Sequence, residues 1–232
     1  MEHKRAAGSF LPSYSHIPLV SVLLINFLAY FASRLITQGL VHYNFSLPID
    51  KAIPFVPAFS IFYVLAFVQW VVGFILIVKE SRAFCYKVLS GEIISKLICL
   101  ALFIIVPTTM VRADITSDGF FSTITKYIYS VDAPDNLFPS LHCHLSWLCF
   151  YSALRMKKTG KWYIYFSFIF NMFVFASTLL VKQHVFVDLF AGVIVCELGQ
   201  LIAQKTNSAQ VFEKLEALTS KHKSSSERTD EN

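Results

Sequence analysis

The sequence predicts an all-α fold: a polytopic membrane protein built as a bundle of six transmembrane helices. Hydrophobic residues make up 55% of the 232 residues and charged residues only 15%, with a mean hydropathy of +0.57. This composition is far more apolar than that of soluble domains. The apolar residues also form six segments, each near the ~20 residues that a helix needs to cross a bilayer, at roughly residues 17–36, 56–78, 91–111, 139–154, 162–181 and 185–204.

These segments divide the chain into three parts. Residues 1–16 form an N-terminal segment, residues 17–204 the six-helix membrane domain, and residues 205–232 a polar tail. The first apolar run is long and lacks a clear small-residue cleavage site, so we expect a retained helix rather than a signal peptide. The tail has the composition of a disordered segment, apart from a short surface helix in "QVFEKLEALTS".

The distribution of Lys and Arg predicts the orientation of the bundle. With the N-terminus in the cytoplasm, fourteen Lys and Arg lie in inner segments and five lie outside or near the outer edge. Inner loops of membrane proteins are enriched in these residues. We therefore predict an integral protein of the plasma (cell) membrane with both termini cytoplasmic. The basic residues lie between apolar segments and form no single patch, so no nucleic-acid partner is expected.

This orientation places three polar side chains at the outer membrane surface. His142, in "DAPDNLFPSLHCHLSW", lies at the outer end of the fourth segment, and His184 lies at the outer end of the sixth. Asp188 follows His184 by four residues, which puts both on one helical face, with the Asp a turn deeper. A carboxylate inside a membrane helix is costly unless paired and is therefore a functional-site hypothesis. An aspartate that orients a histidine is also a common catalytic arrangement.

Two other interpretations of the histidines are an interfacial position and a metal site. A histidine at a helix end is often solvated at the interface, which is our expectation for His144, since residues two apart face different ways. "His-Cys-His" resembles a metal-ligand cluster, but zinc requires three or four convergent ligands. We therefore predict no metal and no cofactor. The five cysteines show no paired metal spacing and are interpreted as packing residues.

The motifs around these residues resemble a known family. Pro139-Ser140-Leu141-His142 is similar to the P-S-x-H motif of the type-2 phosphatidic acid phosphatase (lipid phosphate phosphatase) family. Ser177 matches the start of that family's S-R-x5-H-x3-D motif, and His184-x3-Asp188 matches its end. The resemblance covers roughly residues 45–204 and includes the order and spacing of the motifs.

The resemblance implies a mechanism that does not need a metal. By this resemblance His184 attacks phosphorus and forms a phosphohistidine, Asp188 orients His184, and His142 protonates the leaving alkoxide. Ser140 and nearby backbone N–H groups hold phosphate oxygens. Two displacements, each with a good nucleophile or leaving group, then replace one difficult displacement.

The chain departs from the family pattern at two cation positions. Of the first motif, K-x6-R-P, only Arg112 is kept, and Ile105 stands where lysine is expected. Thr178 replaces the arginine of the third motif. "DNLFPSLHC" and "KQH" are closer to the sphingomyelin-synthase-like and inositol-phosphorylceramide-synthase-like relatives. Because residues four apart share a helical face, we predict that Lys182 and Arg112 together supply the phosphate-binding cations.

Three hypotheses for function follow. The leading one is a membrane phosphatase that hydrolyses a lipid phosphate or diphosphate at the outer face. The second is a lipid phosphotransferase, in which an alcohol replaces water. The third is a transporter or an inactive scaffold, suggested by the intramembrane charges Lys96 and Glu197, although these two residues are more simply explained as a structural pair. The identity of the lipid and the oligomeric state are left open.

Overall fold

The helices of the bundle are defined by a computed structural model that describes residues 10–229. No β-strand occurs within this range. Residues 1–9 of the N-terminal segment lie outside it. The helices are α1 (His16–Phe27), α2 (Ser33–Thr37), α3 (Pro48–Ala52), α4 (Ser60–Glu80), α5 (Arg82–Ile105), α6 (Phe120–Val131), α7 (Leu141–Ala153), α8 (Lys161–Leu180), α9 (Phe186–Lys205) and α10 (Gln210–Thr229).

Five helical stretches are long and apolar enough to cross a membrane: Ser13–Thr37, Pro57–Glu80, Arg82–Ile105, Lys161–Leu180 and Phe186–Lys205. The first runs through α1, a π-helical turn and α2 without a break. The integral membrane class and the all-α fold are confirmed. The count of six long spans is not reproduced, because the predicted fourth span is α7, which has only 13 residues, fewer than the ~20 that a bilayer requires.

The shortness of α7 is compensated by its position in the interior. It packs against α4, α8 and α9, and ten of its residues are buried. Its start is fixed by Ser140, whose Oγ accepts a hydrogen bond from the backbone N–H of Cys143 at 3.3 Å. This N-cap interaction satisfies one of the free donors in the first helical turn. The helix therefore begins beside the turn between α8 and α9.

The alternating direction of the helices gathers the predicted site at one end of the bundle. At this end the Tyr30 hydroxyl, from the first span, donates to Asp132 Oδ1 at 2.8 Å. At the opposite end Glu80 Oε1 accepts from the backbone N–H of Lys157 at 3.0 Å. The first end holds the starts of α7 and α9, and the second holds the loops rich in Lys and Arg.

The interior of the bundle contains a charged cluster that corrects two expectations. His144 is fully buried, and its Nε2 lies 2.8 Å from Glu92 Oε2. Lys96 lies 3.5 Å from the other oxygen of Glu92. His144 is therefore not solvated at the interface, because the shortness of α7 places it inside the bundle. Lys96 does not pair with Glu197 either, which accepts a hydrogen bond from Trp147 Nε1 at 2.7 Å.

The short helix expected at "QVFEKLEALTS" in the C-terminal tail is the first part of α10. The structure forms a single helix over Gln210–Thr229. Its first turns are tied to the bundle, since Phe212 is buried against Tyr86 and Glu216 accepts a hydrogen bond from the Tyr86 hydroxyl at 2.8 Å. The first turns of α10 therefore pack against the bundle through a buried aromatic side chain and a hydrogen bond.

Candidate active site

The turn between α8 and α9 positions His184. The backbone N–H groups of Gln183 and His184 both donate to the carbonyl of Thr178, at 3.0 and 3.1 Å. Lys182 adopts a left-handed conformation with φ of 53°, which allows the chain to reverse here. The predicted reversal between these helices is therefore confirmed, and it brings His184 and Lys182 to the same side of the bundle.

Asp188 fixes the ring of His184. The Nδ1 atom of His184 lies 3.2 Å from Asp188 Oδ2, which also accepts a hydrogen bond from the backbone N–H of Val185 at 3.0 Å. A carboxylate can only accept, so Nδ1 carries the proton and Nε2 keeps its lone pair. Asp188 lies in the first turn of α9, where the helix dipole favours a negative charge. The pairing expected from the four-residue spacing is present.

His142 lies beside His184 across the contact between α7 and α9. The two ring centroids are 6.4 Å apart. His142 is buried, and in the described part of the chain its Nε2 has no hydrogen-bond partner. His142 and His144 point apart, as expected, since His144 faces Glu92. The site therefore contains one histidine oriented by a carboxylate and a second with an uncommitted ring nitrogen.

Ser140 joins the two helices that carry these groups. It is fully buried, and its backbone N–H donates to the carbonyl of Asp188 at 3.0 Å. Its hydroxyl is occupied in capping α7. The close approach depends on Gly192, where a Cβ atom would lie 2.5 Å from the Ser140 carbonyl oxygen. Ser140 and Gly192 thus set the separation of the two histidines.

A cavity of about 350 Å³ opens beside His184. Its lining includes three of the predicted site residues, His184, Arg112 and Lys182, together with parts of the outer loop around Asp50. The other three, Ser140, His142 and Asp188, are buried behind His184. The structure therefore brings the six residues together in two layers, with the cations beside the cavity and the second histidine beneath.

The guanidinium of Arg112 is held at the cavity by protein groups. It donates to the backbone carbonyls of Tyr129, at 3.1 Å, and Asp132, and to the side-chain oxygen of Gln183. It also lies over the ring of Tyr129, 4.4 Å from the centroid. Burial lowers the pKa of Arg112, and the nearby Asp132 opposes this shift. Arginine nevertheless stays charged at neutral pH, so its positive charge is fixed beside the turn between α8 and α9.

Lys182 is tied to the outer loop. Its Nζ donates to the carbonyls of Asp50 and Ile53, at 2.9 and 2.6 Å. Desolvation lowers the pKa of Lys182, while Asp50 acts to raise it. Thr178, at the position of the family arginine, is fully buried, and its hydroxyl donates to the carbonyl of Phe175 at 2.8 Å. Thr178 therefore does not line the cavity, whereas Lys182 does.

Sequence reasoning missed the carboxylate of Asp132. Its Oδ2 accepts from the Tyr63 hydroxyl at 2.7 Å and from Gln183 Nε2 at 3.4 Å, and its Oδ1 accepts from Tyr30. Gln183 precedes His184, and the ring of Tyr63 stacks on His142 with centroids 3.8 Å apart. Asp132 therefore contacts neighbours of both histidines. Its place at the start of "DAPDN", just before the apolar α7, was the available signal.

Among residues 10–229, no group of three or more His, Cys, Asp and Glu side chains is placed to hold a metal ion. All five cysteines are free and buried, in agreement with their prediction as packing residues.

The fold and the site together define an integral membrane protein with two adjacent histidines at one end of its helices. The sequence model of the PAP2 superfamily matches residues 38–202, well over half of the chain. The protein belongs to this family of membrane phosphatases and phosphotransferases, which confirms the resemblance drawn from its motifs. No curated protein and no solved structure matches the chain.

Proposed function

We propose that this protein hydrolyses a lipid phosphate or diphosphate at the outer membrane face through a phosphohistidine on His184. The observation that carries the proposal is the hydrogen bond between His184 Nδ1 and Asp188, with His142 on the other side of His184. The hydrogen bond keeps the Nε2 lone pair of His184 available as a nucleophile. His142 has an uncommitted nitrogen for proton transfer.

The proposed reaction has two displacements. In the first, His184 Nε2 forms a bond to the terminal phosphorus, and the P–O bond to the leaving group breaks. The leaving group is the lipid alkoxide for a monophosphate and the lipid monophosphate for a diphosphate, and its oxygen takes a proton from His142. In the second, water attacks phosphorus, the P–N bond breaks, and the proton of the water passes to His142. The enzyme is thereby restored, with inorganic phosphate as the product of the second displacement.

Arg112 and Lys182 supply the positive charge for the phosphate oxygens in this proposal. Both line the cavity with His184, and phosphoryl transfer depends on fixed cations and donors around the equatorial oxygens. Ser140 contributes through the N-terminal turn of α7 that it caps. We propose a lipid in the bilayer as the substrate, on the basis of the family resemblance and the apolar surface of the bundle.

Lys182→Met is expected to reduce kcat/KM by about 10²–10³-fold, because one preorganised charge contact is removed while side-chain length is kept. Lys182→Arg is expected to retain most of the activity. Lys126→Met is the matched control, since Lys126 lies on the same end of the bundle and pairs with Asp118 at 3.1 Å. Parental activity in Lys182→Met would show that the cation comes from another residue.

The proposed orientation places the cavity outside the cell and both termini in the cytoplasm. It is supported by the fourteen-to-five distribution of Lys and Arg. A cysteine introduced as Asp118→Cys should react with an impermeant maleimide in intact cells, and one introduced as Lys158→Cys should react only after permeabilisation. The five native cysteines are buried, which keeps the background low. The reverse labelling pattern would place the site in the cytoplasm.

Transfer to an alcohol is the second candidate function. The observation that favours it is a larger cavity of about 590 Å³ at the same end of the bundle. Its lining combines apolar and charged side chains, including Phe31, Arg34, Leu35, Leu40, His42 and Asp135. Such a cavity offers a site for a second lipid, whose hydroxyl would replace water in the second displacement.

The proposal is tested with purified protein in detergent and a panel of lipid phosphates, with and without an alcohol acceptor. Free phosphate and transferred headgroup are measured in the same samples, and His184→Ala serves as the blank. Hydrolysis predicts phosphate release that does not depend on the acceptor. Headgroup transfer without phosphate release would support the second function, and no product of either kind would contradict both.

A further inference from the structure

Three aromatic rings on one face of α4 pack against His142. Tyr63, Phe67 and Trp70 occupy positions i, i+4 and i+7 and therefore share one helical face. The ring centroids of Phe67 and Trp70 lie 5.6 and 4.9 Å from that of His142, with their planes steeply inclined to it. We refer to Tyr63, Phe67 and Trp70 as the aromatic cage.

Tyr63 differs from the other two rings in geometry. It lies face to face with the imidazole, with centroids 3.8 Å apart and an angle of 23° between the planes. It is buried, and its hydroxyl donates to Asp132 Oδ2 at 2.7 Å. Hydrogen bonding to a carboxylate increases the electron density of a phenol ring. The face of an electron-rich ring attracts a cation, and this attraction is stronger where water is excluded.

His144 provides a comparison, because it is a buried histidine whose ring nitrogen is paired with a carboxylate. His144, two residues later, binds Glu92 through Nε2. His142 instead has an aromatic face against its ring and an Nε2 atom without a partner in the described structure. Burial disfavours the charged form of the ring. The aromatic face offsets part of this cost and leaves the N–H group without a competing partner. This environment suits a proton donor better than a packing residue.

We propose that Tyr63, held in place by Asp132, is a positioning residue that keeps His142 in the imidazolium form needed to protonate the leaving group. This inference rests on the proposed phosphatase function. The aromatic cage supplies no proton itself. His142 gives its proton to the lipid alkoxide in the first displacement and regains one from water in the second.

Charged groups on the neighbouring elements also act on His142. Asp132, which precedes α7, favours the imidazolium. His184, in the turn before α9, lies beside His142 and is paired with Asp188. On α5, Glu92 pairs both with Lys96 and with His144 of α7. Tyr63 is the titratable group of α4 in direct contact with His142. A change at Tyr63 removes the stacking and the link to Asp132, and Tyr63→Leu also reduces packing against Ile128 and Val181.

The test compares two substrates of equal chain length, an alkyl phosphate and an activated aryl phosphate. A general acid must be protonated to act, so activity on the alkyl substrate falls as pH rises through its titration. Without Tyr63 the imidazolium is less stable, and this fall moves to lower pH. Tyr63→Leu is expected to shift the alkaline limb of kcat by about one pH unit and to reduce alkyl turnover at neutral pH by about tenfold.

The aryl substrate and two further variants separate this role from general damage. A phenolate leaves without a proton, so Tyr63→Leu should keep its parental aryl activity. Tyr63→Phe keeps the ring but loses the bond to Asp132, and should show a smaller shift in the same direction. Phe62→Leu is the matched control on α4, because Phe62 stacks on Phe173, with centroids 4.6 Å apart, and it should leave the profile unchanged.

Two results would overturn the inference. The first is an unshifted pH profile in both Tyr63 variants, and the second is an equal loss on the alkyl and aryl substrates. His142→Ala, measured in parallel, distinguishes this failure from failure of the proposed function. If His142→Ala loses alkyl turnover selectively while the Tyr63 variants match the parent, His142 is the acid and Tyr63 does not support it. If His142→Ala is as active as the parent, the proposed mechanism is also wrong.

Discussion

His184→Ala is expected to abolish phosphate release, lowering kcat by about 10⁴–10⁶-fold, the range typical when a catalytic nucleophile is removed. The reason is geometric. His184 lines the cavity beside the two cations, and its Nδ1 is bound by Asp188, which leaves Nε2 as the atom that we propose to attack phosphorus. The measurement is kcat for released phosphate at saturating lipid substrate, on variant protein that elutes as the parent does in size-exclusion chromatography.

His16→Ala is the matched control for this variant. His16 lies at the opposite end of the first span, where its Nδ1 contacts the carbonyl of Ser13 at 2.9 Å. The control should keep parental kcat. Residual activity in His184→Ala within tenfold of the parent would remove His184 as the nucleophile, and the mechanism would then require direct attack by water or by another residue.

Gly192→Ala is expected to have the second largest effect, although it changes no catalytic group. The added Cβ would lie 2.5 Å from the Ser140 carbonyl oxygen, and because this atom belongs to the backbone, side-chain rotation cannot relieve the clash. Helices α7 and α9 must then separate, which strains the hydrogen bond from Ser140 N–H to Asp188. A misplacement of about 1 Å in a catalytic site can cost ~10²-fold in rate.

The corresponding measurements are kcat and the melting temperature in detergent. Overpacking of this kind typically costs about 1–3 kcal/mol of folding free energy, so the melting temperature should also fall. Ile194→Ala is the control on the same helix, because this side chain is 55% exposed on the outer surface of the bundle. Parental rate and melting temperature in Gly192→Ala would show that the contact between α7 and α9 is not needed to align the site.

The features that the sequence predicted well depend on local spacing. The apolar segments identified the long spans, since hydrophobic length is set by bilayer thickness. The four-residue separation of His184 and Asp188 correctly predicted their contact, and the need for a chain reversal placed Lys182 and His184 on the same side. These inferences required no knowledge of contacts between helices that are distant in the sequence.

The features that were missed depend on packing between helices. The stacking of Tyr63 on His142 joins α4 and α7, and the carboxylate of Asp132 gathers groups from three regions of the chain. Neither relation follows from residue spacing. The fourth apolar segment, residues 139–154, is short in the sequence as well. What the sequence does not show is the interior position of α7, where a helix does not have to match the thickness of the membrane. His144 was predicted at the interface because the interior position of α7 is not visible in the sequence.

The pairing of the buried charges shows how depth along a helix can mislead. Glu197 and Lys96 were matched because both lie toward the inner side of the bundle. In the structure Lys96 binds Glu92, one turn earlier on its own helix, and Glu197 binds Trp147. Glu92, four residues before Lys96 on the same helix, is therefore its partner, and Glu197 on α9 is not.

The central claim is a covalent phosphohistidine on His184, and trapping this intermediate tests it most directly. Purified protein is mixed with a lipid substrate labelled with ³²P in the transferred phosphoryl group, quenched within the first turnover and digested for peptide mapping. The account predicts an alkali-stable, acid-labile label on the peptide that contains His184, present in the parent and in His16→Ala and absent from His184→Ala. Turnover of the substrate with no labelled protein at any quench time, or a label on a different residue, would contradict it.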